Sequence, residues 1–122
     1  MEAKFKIEVE ITVTDEQMTD IMVTALEGGI NYWCGKAKIV KLPTDNRITI
    51  ASDVIAKGGV LKLYDLGSND TWILDQEKLI NGIKKYMAEE NICSMEELID
   101  NHDADVADKI IQYAIFKEQM FA

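Results

Sequence analysis

One histidine and two cysteines bound the chemistry open to this 122-residue chain. His102 stands alone, so a His-rich zinc site is ruled out, and Cys34 and Cys93 offer neither CxxC nor CxxxC spacing. The run Asp100-Asn101-His102-Asp103-Ala104-Asp105 has the acid density of a calcium loop. It lacks the central glycine and the closing glutamate that such a loop uses, and reads as a solvated loop capping the helix that follows. Cys34 lies between Trp33 and Gly35-Lys36, where a cation lowers a thiol pKa. No base and orienting acid accompany it in a recognisable pattern, so it reads as a small buried hydrophobe. Gly28-Gly29 and Gly58-Gly59 each follow a predicted helix, whereas a phosphate loop runs from a strand into a helix N-terminus. They read as helix C-caps. No catalytic residue, metal site or cofactor is expected; the chain reads as a binder.

The binding candidates cluster in Gly29-Ile30-Asn31-Tyr32-Trp33-Cys34-Gly35-Lys36, where a permissive backbone joins two large rings and a cation. Aromatic faces stack bases, and lysine approaches phosphates. Strand neighbours face opposite ways, so one of Tyr32 and Trp33 is expected to pack inward and one to meet solvent, and the spacing does not say which. Arg47 is the sole arginine, so a bidentate phosphate clamp within one subunit is not expected, whereas symmetric assembly would repeat the cations. A second surface signal is the acidic sweep Glu89-Glu90, Glu96-Glu97, Asp100, Asp103, Asp105 and Asp108. Such a sweep steers a basic protein partner, or simply keeps the surface solvated.

Positioning these residues falls to an α+β arrangement. Phe5, Ile7, Val9, Ile11 and Val13 alternate with polar residues and predict a strand. Thr14-Asp15-Glu16-Gln17 is a capping box, and Met18, Ile21, Met22, Ala25 and Leu26 form the buried stripe of the helix it starts. A second strand is predicted over Ile30–Leu42, a weaker one over Arg47–Ile50, and a short helix over Asp53–Lys57 capped by Ser52. Val60–Leu66 and Thr71–Leu74 flank Gly67-Ser68-Asn69-Asp70 as a hairpin. Asp75 caps a helix carrying Leu79, Ile80, Ile83, Tyr86 and Met87, and a brief acidic helix follows Ser94. The last helix starts near Asp103, burying Val106, Ala107, Ile110, Ile111 and Ala114 and leaving Asp105, Asp108, Lys109 and Gln112 to the other face. The whole predicts one domain, residues 1–122: a small antiparallel sheet with an early helix and two C-terminal helices packed on it.

Apolar residues make up 48% of the chain, enough to offset chain entropy with one buried core. The apolar runs are short and broken by charge, so no membrane span or signal peptide is expected, and two cysteines suit a reducing cytoplasm. The net charge of −9 argues against direct nucleic-acid binding. Charge is uneven: residues 1–29 carry two lysines against seven acids, 30–64 six cations against two acids, and 65–122 five lysines against thirteen acids. A basic middle is flanked by acidic ends.

Asp20-Ile21-Met22, Ala25-Leu26-Glu27-Gly28-Gly29-Ile30, Tyr32-Trp33-Cys34, Gly58-Gly59-Val60-Leu61 and Ala107-Asp108 with Ile110-Ile111-Gln112-Tyr113-Ala114 span most of the chain. Together they resemble small, mostly uncharacterised proteins encoded by phages and prophages of clostridia and their relatives. The size and layout also resemble the Thoeris anti-defence sponges. That resemblance implies a homo-oligomer that traps cyclic ADP-ribose-type signals without degrading them, with late-helix rings and cations holding the ligand. The local counterparts are Tyr86, Lys109, Tyr113 and Lys117. The expectation is a non-enzymatic, cytoplasmic, phage-encoded homo-oligomer that binds a nucleotide-type ligand (cyclic ADP-ribose type or cyclic oligonucleotide) through Tyr32, Trp33, Lys36, Tyr86, Lys109, Tyr113 and Lys117. Two other classes compete with it: an acidic, anti-CRISPR-like inhibitor of a basic host protein, and a phage accessory protein with no small-molecule pocket.

Overall fold

The computed structural model describes residues 2–4, 10–43 and 50–122. Most of the strand expected at Phe5–Val13, and Arg47–Thr49 of the weaker one, lie outside these residues. Ile11–Val13 lead irregularly into the first helix. Helix α1 (Asp15–Thr24) opens with the predicted capping box: Gln17 N donates to Thr14 Oγ1 at 3.1 Å, and Thr14 N donates to Gln17 Oε1 at 3.0 Å. Its buried side chains are Met18, Ile21 and Met22. Beyond it the chain widens into a π-helical turn, Ala25–Gly29, so Gly28 and Gly29 end no left-handed cap. Gly29 is small for another reason: a Cβ there would stand 2.8 Å from the Ala104 carbonyl. The turn presses directly on the start of the last helix.

Strand β1 (Cys34–Lys41) starts later than expected, and Ile30–Trp33 form the turn before it. It pairs antiparallel with β2 (Val60–Asp65), which pairs antiparallel with β3 (Thr71–Leu74). Between β1 and β2 lies the one-turn helix α2 (Ala51–Val54), begun by Ile50 with no side-chain cap, so Ser52 does not play the role expected of it. Gly58 supplies the left-handed residue after it, at φ 90°. Leu61, Leu63 and Leu74 point inward and are fully buried; Lys36, Lys38, Lys62, Tyr64 and Ile73 lie on the opposite face by strand alternation.

Helices α3 (Gln76–Glu90), α4 (Met95–Asn101) and α5 (Ala104–Phe116) start at Asp75, Ser94 and Asp103, whose side chains accept from the backbone N–H of Lys78, Glu97 and Val106. Each is where the sequence predicts it, because the cap chemistry is local. α3 crosses α5 closely at Gly82, where a Cβ would stand 2.4 Å from the Ile110 carbonyl. The buried apolar residues form one cluster between the inner sheet face and the helices. Among the described residues no helix is long and apolar enough to cross a membrane.

Candidate functional site

The face of the sheet turned away from the core gathers cations around one ring. Cross-strand register sets Lys36 opposite Tyr64 and Lys38 opposite Lys62, with Ile73 on β3 beside Lys62. Lys36 Nζ sits 4.5 Å and Lys62 Nζ 5.6 Å from the Tyr64 ring centroid. Each ammonium is attracted to the negative face of the ring, which offsets part of their mutual repulsion and holds two charges close together. Among the described residues no carboxylate pairs with Lys36, Lys38 or Lys62. A polyanion placed here would meet three ammonium groups and a ring with a polar edge. Tyr64, Lys38 and Lys62 are not among the sequence candidates. The signal was present as alternation in Lys36-Ala37-Lys38 and Lys62-Leu63-Tyr64, but pairing those two segments required the strand register.

The seven sequence candidates fall in separate places. Lys36 belongs to the sheet face. Tyr32 and Trp33, expected on a strand with opposed side chains, lie in the turn before β1 and converge on one carboxylate. Trp33 Nε1 donates to Asp108 Oδ1 at 2.8 Å, and the Tyr32 hydroxyl donates to Asp108 Oδ2 at 2.5 Å. Trp33 is buried, whereas Tyr32 is 46% exposed. The Trp33 ring packs against Trp72, Phe116 and Phe121, so it is not free to stack a ligand. Tyr86 is also buried, and that burial, with Glu90 and Asp103 nearby, raises its phenol pKa. Tyr113 is half-buried under Lys85, whose Nζ lies 5.3 Å from its ring centroid. Lys117 follows α5 in a left-handed conformation, and its carbonyl accepts from Lys85 Nζ at 2.7 Å.

Tyr32 and Lys109 do share a site, a shallow depression of about 400 Å³ that they line with Asp105, Asp108, Gln119 and Ala122. Desolvation, reinforced by the hydrogen bond to Asp108, pushes the Tyr32 phenol up to about 12. At neutral pH it is a fixed hydrogen-bond donor. With two acids beside one lysine, the depression does not favour a phosphate.

Asp108 and Gln112 correct the expectation that they face solvent. Asp108 is 6% exposed and Gln112 fully buried. Gln112 Nε2 donates to Asp108 Oδ1 at 2.9 Å, so two polar residues one turn apart form a hub beneath Tyr32 and Trp33. His102, expected in a solvated loop, is engaged by both ring nitrogens: Nδ1 lies 2.6 Å from the Ile99 carbonyl and Nε2 lies 2.8 Å from Thr24 Oγ1, tying the end of α4 to α1. Cys34 and Cys93 are both free, Cys34 buried with its thiol pKa raised by that burial and Cys93 exposed. Among the described residues no group of three His, Cys, Asp or Glu is placed to hold a metal.

Compared with known proteins, the chain matches no family model, no curated protein and no solved structure.

Proposed function

We propose that this protein is a non-enzymatic binder that sequesters an anionic, ring-bearing ligand of nucleotide type, a cyclic ADP-ribose-like or cyclic oligonucleotide signal, on the open face of its sheet. The observation that carries this reading is the pair of ammonium groups of Lys36 and Lys62 held over Tyr64, with Lys38 alongside and no described carboxylate neutralising them. The cations serve the phosphates, and the half-buried Tyr64 ring and the exposed Ile73 side chain give the base or ribose an apolar surface. Sequestration suits the site because, among the described residues, no nucleophile or general base stands beside it: the one histidine is engaged with Thr24 and Ile99, and the Cys34 thiol is buried on the core side. An open face encloses a small ligand poorly, so a second copy closing over it fits the expected homo-oligomer. The resemblance to phage-encoded proteins supports reading such a binder as an anti-defence sponge.

Titration of the purified protein with ADP-ribose by calorimetry tests this. Binding is expected, with ligand recovered chemically unchanged after denaturation, and Lys36→Ala, Lys62→Ala or Tyr64→Ala each weakening it by roughly 3- to 30-fold. Equal affinity in all three variants would place any binding elsewhere.

A second reading rests on α4 and the start of α5. Glu96, Glu97, Asp100, Asp103 and Asp105 are all exposed, and none is paired with a lysine among the described residues. That surface suits a basic protein partner.

A further inference from the structure

Helix α5 stops where its sequence does not tell it to. Lys117-Glu118-Gln119-Met120 are all strong helix formers, with no glycine, proline or asparagine among them. Yet α5 ends at Phe116, and Lys117 takes φ 64°, a left-handed conformation that costs a side-chain-bearing residue free energy. The reversal is held by tertiary contacts. Gln112 Oε1 accepts from Met120 N at 2.7 Å and Phe121 N at 2.8 Å, and its Nε2 donates to the Phe121 carbonyl at 3.1 Å. The hydrogen bond from Nε2 to Asp108 fixes which way that amide points. Phe121 then lies flat on Trp33, with centroids 5.1 Å apart and planes 2° apart, and meets Trp72 and Phe116 edge-on.

These are the parts of a peptide-reading site: a buried amide reads backbone donors and an acceptor, and a slot of rings reads one side chain. We propose that the slot formed by Trp33, Trp72, Phe116 and Gln112 binds an extended peptide segment carrying an aromatic side chain on a partner protein, and that residues 118–122 occupy it in cis. Continuation of α5 through Lys117 removes the occupant, since a helical backbone has no free N–H groups for Gln112. The two states balance helix propensity and relief of the left-handed residue against ring stacking and three hydrogen bonds. The position before the aromatic is unselective, because Met120 is 57% exposed while it sits there. This site is separate from the lysines of the sheet face and stands whether or not that face binds a nucleotide.

The test uses the full chain with Phe121→Ala, which empties the slot, and an end-blocked peptide Glu-Gln-Met-Phe-Ala. Fluorescence of the two tryptophans, both in the ring cluster, reports binding. Saturable binding is expected, at least about 10-fold tighter than to the unmodified chain, in which the tethered segment competes at an effective concentration on the order of millimolar. Replacing the peptide's phenylalanine with alanine abolishes the response; replacing its methionine with serine leaves affinity within about 3-fold. Equal binding of the phenylalanine and alanine peptides, or of the peptide to variant and unmodified chain, overturns the proposal. Should Phe121→Ala fail to fold, Lys117→Ala and Lys117→Gly carry the test. Alanine favours the helix and raises peptide binding, glycine favours the turn and lowers it, and no difference between them overturns the proposal.

Discussion

Asp108 shows how a charged residue is read from its spacing and misplaced. It lies between Ala107 and Lys109 on an amphipathic helix, where one acid in a strongly acidic half looks like part of a solvated face. It is buried because three donors reach it: Tyr32 and Trp33 from the distant turn before β1, and Gln112 from one turn along its own helix. A buried carboxylate is tolerable only with such partners, and the two ring donors become its partners only when the turn before β1 meets α5. The Tyr32 hydroxyl gives the hub a measurable signature. Its pKa is near 10 in the unfolded chain and about 12 when folded, so the folded state retains a proton that the unfolded state loses between those values. Stability from this group is therefore complete below pH 10 and falls as pH rises toward 12. Urea midpoints measured from pH 9 to 12 are expected to drop more steeply for the natural chain than for Tyr32→Phe. Parallel curves would disconnect the phenol from the fold.

Among the elements, those with local start signals follow the sequence closely. Thr14 and Asp75 cap the helices they were expected to cap, and Ser94 and Asp103 cap the helices expected to start there, because the cap bond closes within three residues. Asn91, in the left-handed region at φ 56°, ends α3 by the same short-range logic. Elements whose ends depend on distant packing depart from it. β1 starts four residues late since Ile30–Trp33 turn so that both rings can reach Asp108, and α5 ends where Phe121 docks. The α3–α5 crossing is equally non-local. Gly82 sits on α3 with a helical neighbour's carbonyl where its Cβ would be, so Gly82→Ala should destabilise the protein by about 1–3 kcal/mol, despite alanine's better helix propensity. Chemical denaturation measures it, and a stabilised Gly82→Ala would mean the two helices separate at little cost.

Over the whole molecule, charge is segregated along the chain and again in space. The basic middle supplies the three lysines of the sheet face, and the acidic final segment supplies the exposed acids of α4 and early α5. If those acids guide a basic partner, association with a lysine-rich peptide should weaken strongly between about 10 mM and 150 mM salt, over which the Debye length shrinks from roughly 30 to 8 Å. Neutralising Glu96, Glu97, Asp100 and Asp105 together should abolish it and should leave the proposed ADP-ribose binding at the sheet face unchanged. Unchanged peptide binding in that variant removes the acidic surface from consideration.

The α+β class, the caps, the hairpin and the division of charge were legible in the amino-acid order, since each rests on interactions within a few residues or on composition. Which rings were available was not. Trp33 and Tyr86 had the chemistry of ligand contacts, but packing consumed them, while Tyr64 gained Lys36 through strand register beside Lys62, two residues back on its own strand. Burial and cross-strand neighbours are properties of segments tens of residues apart, and they exist only once the sheet and helices have closed on one core.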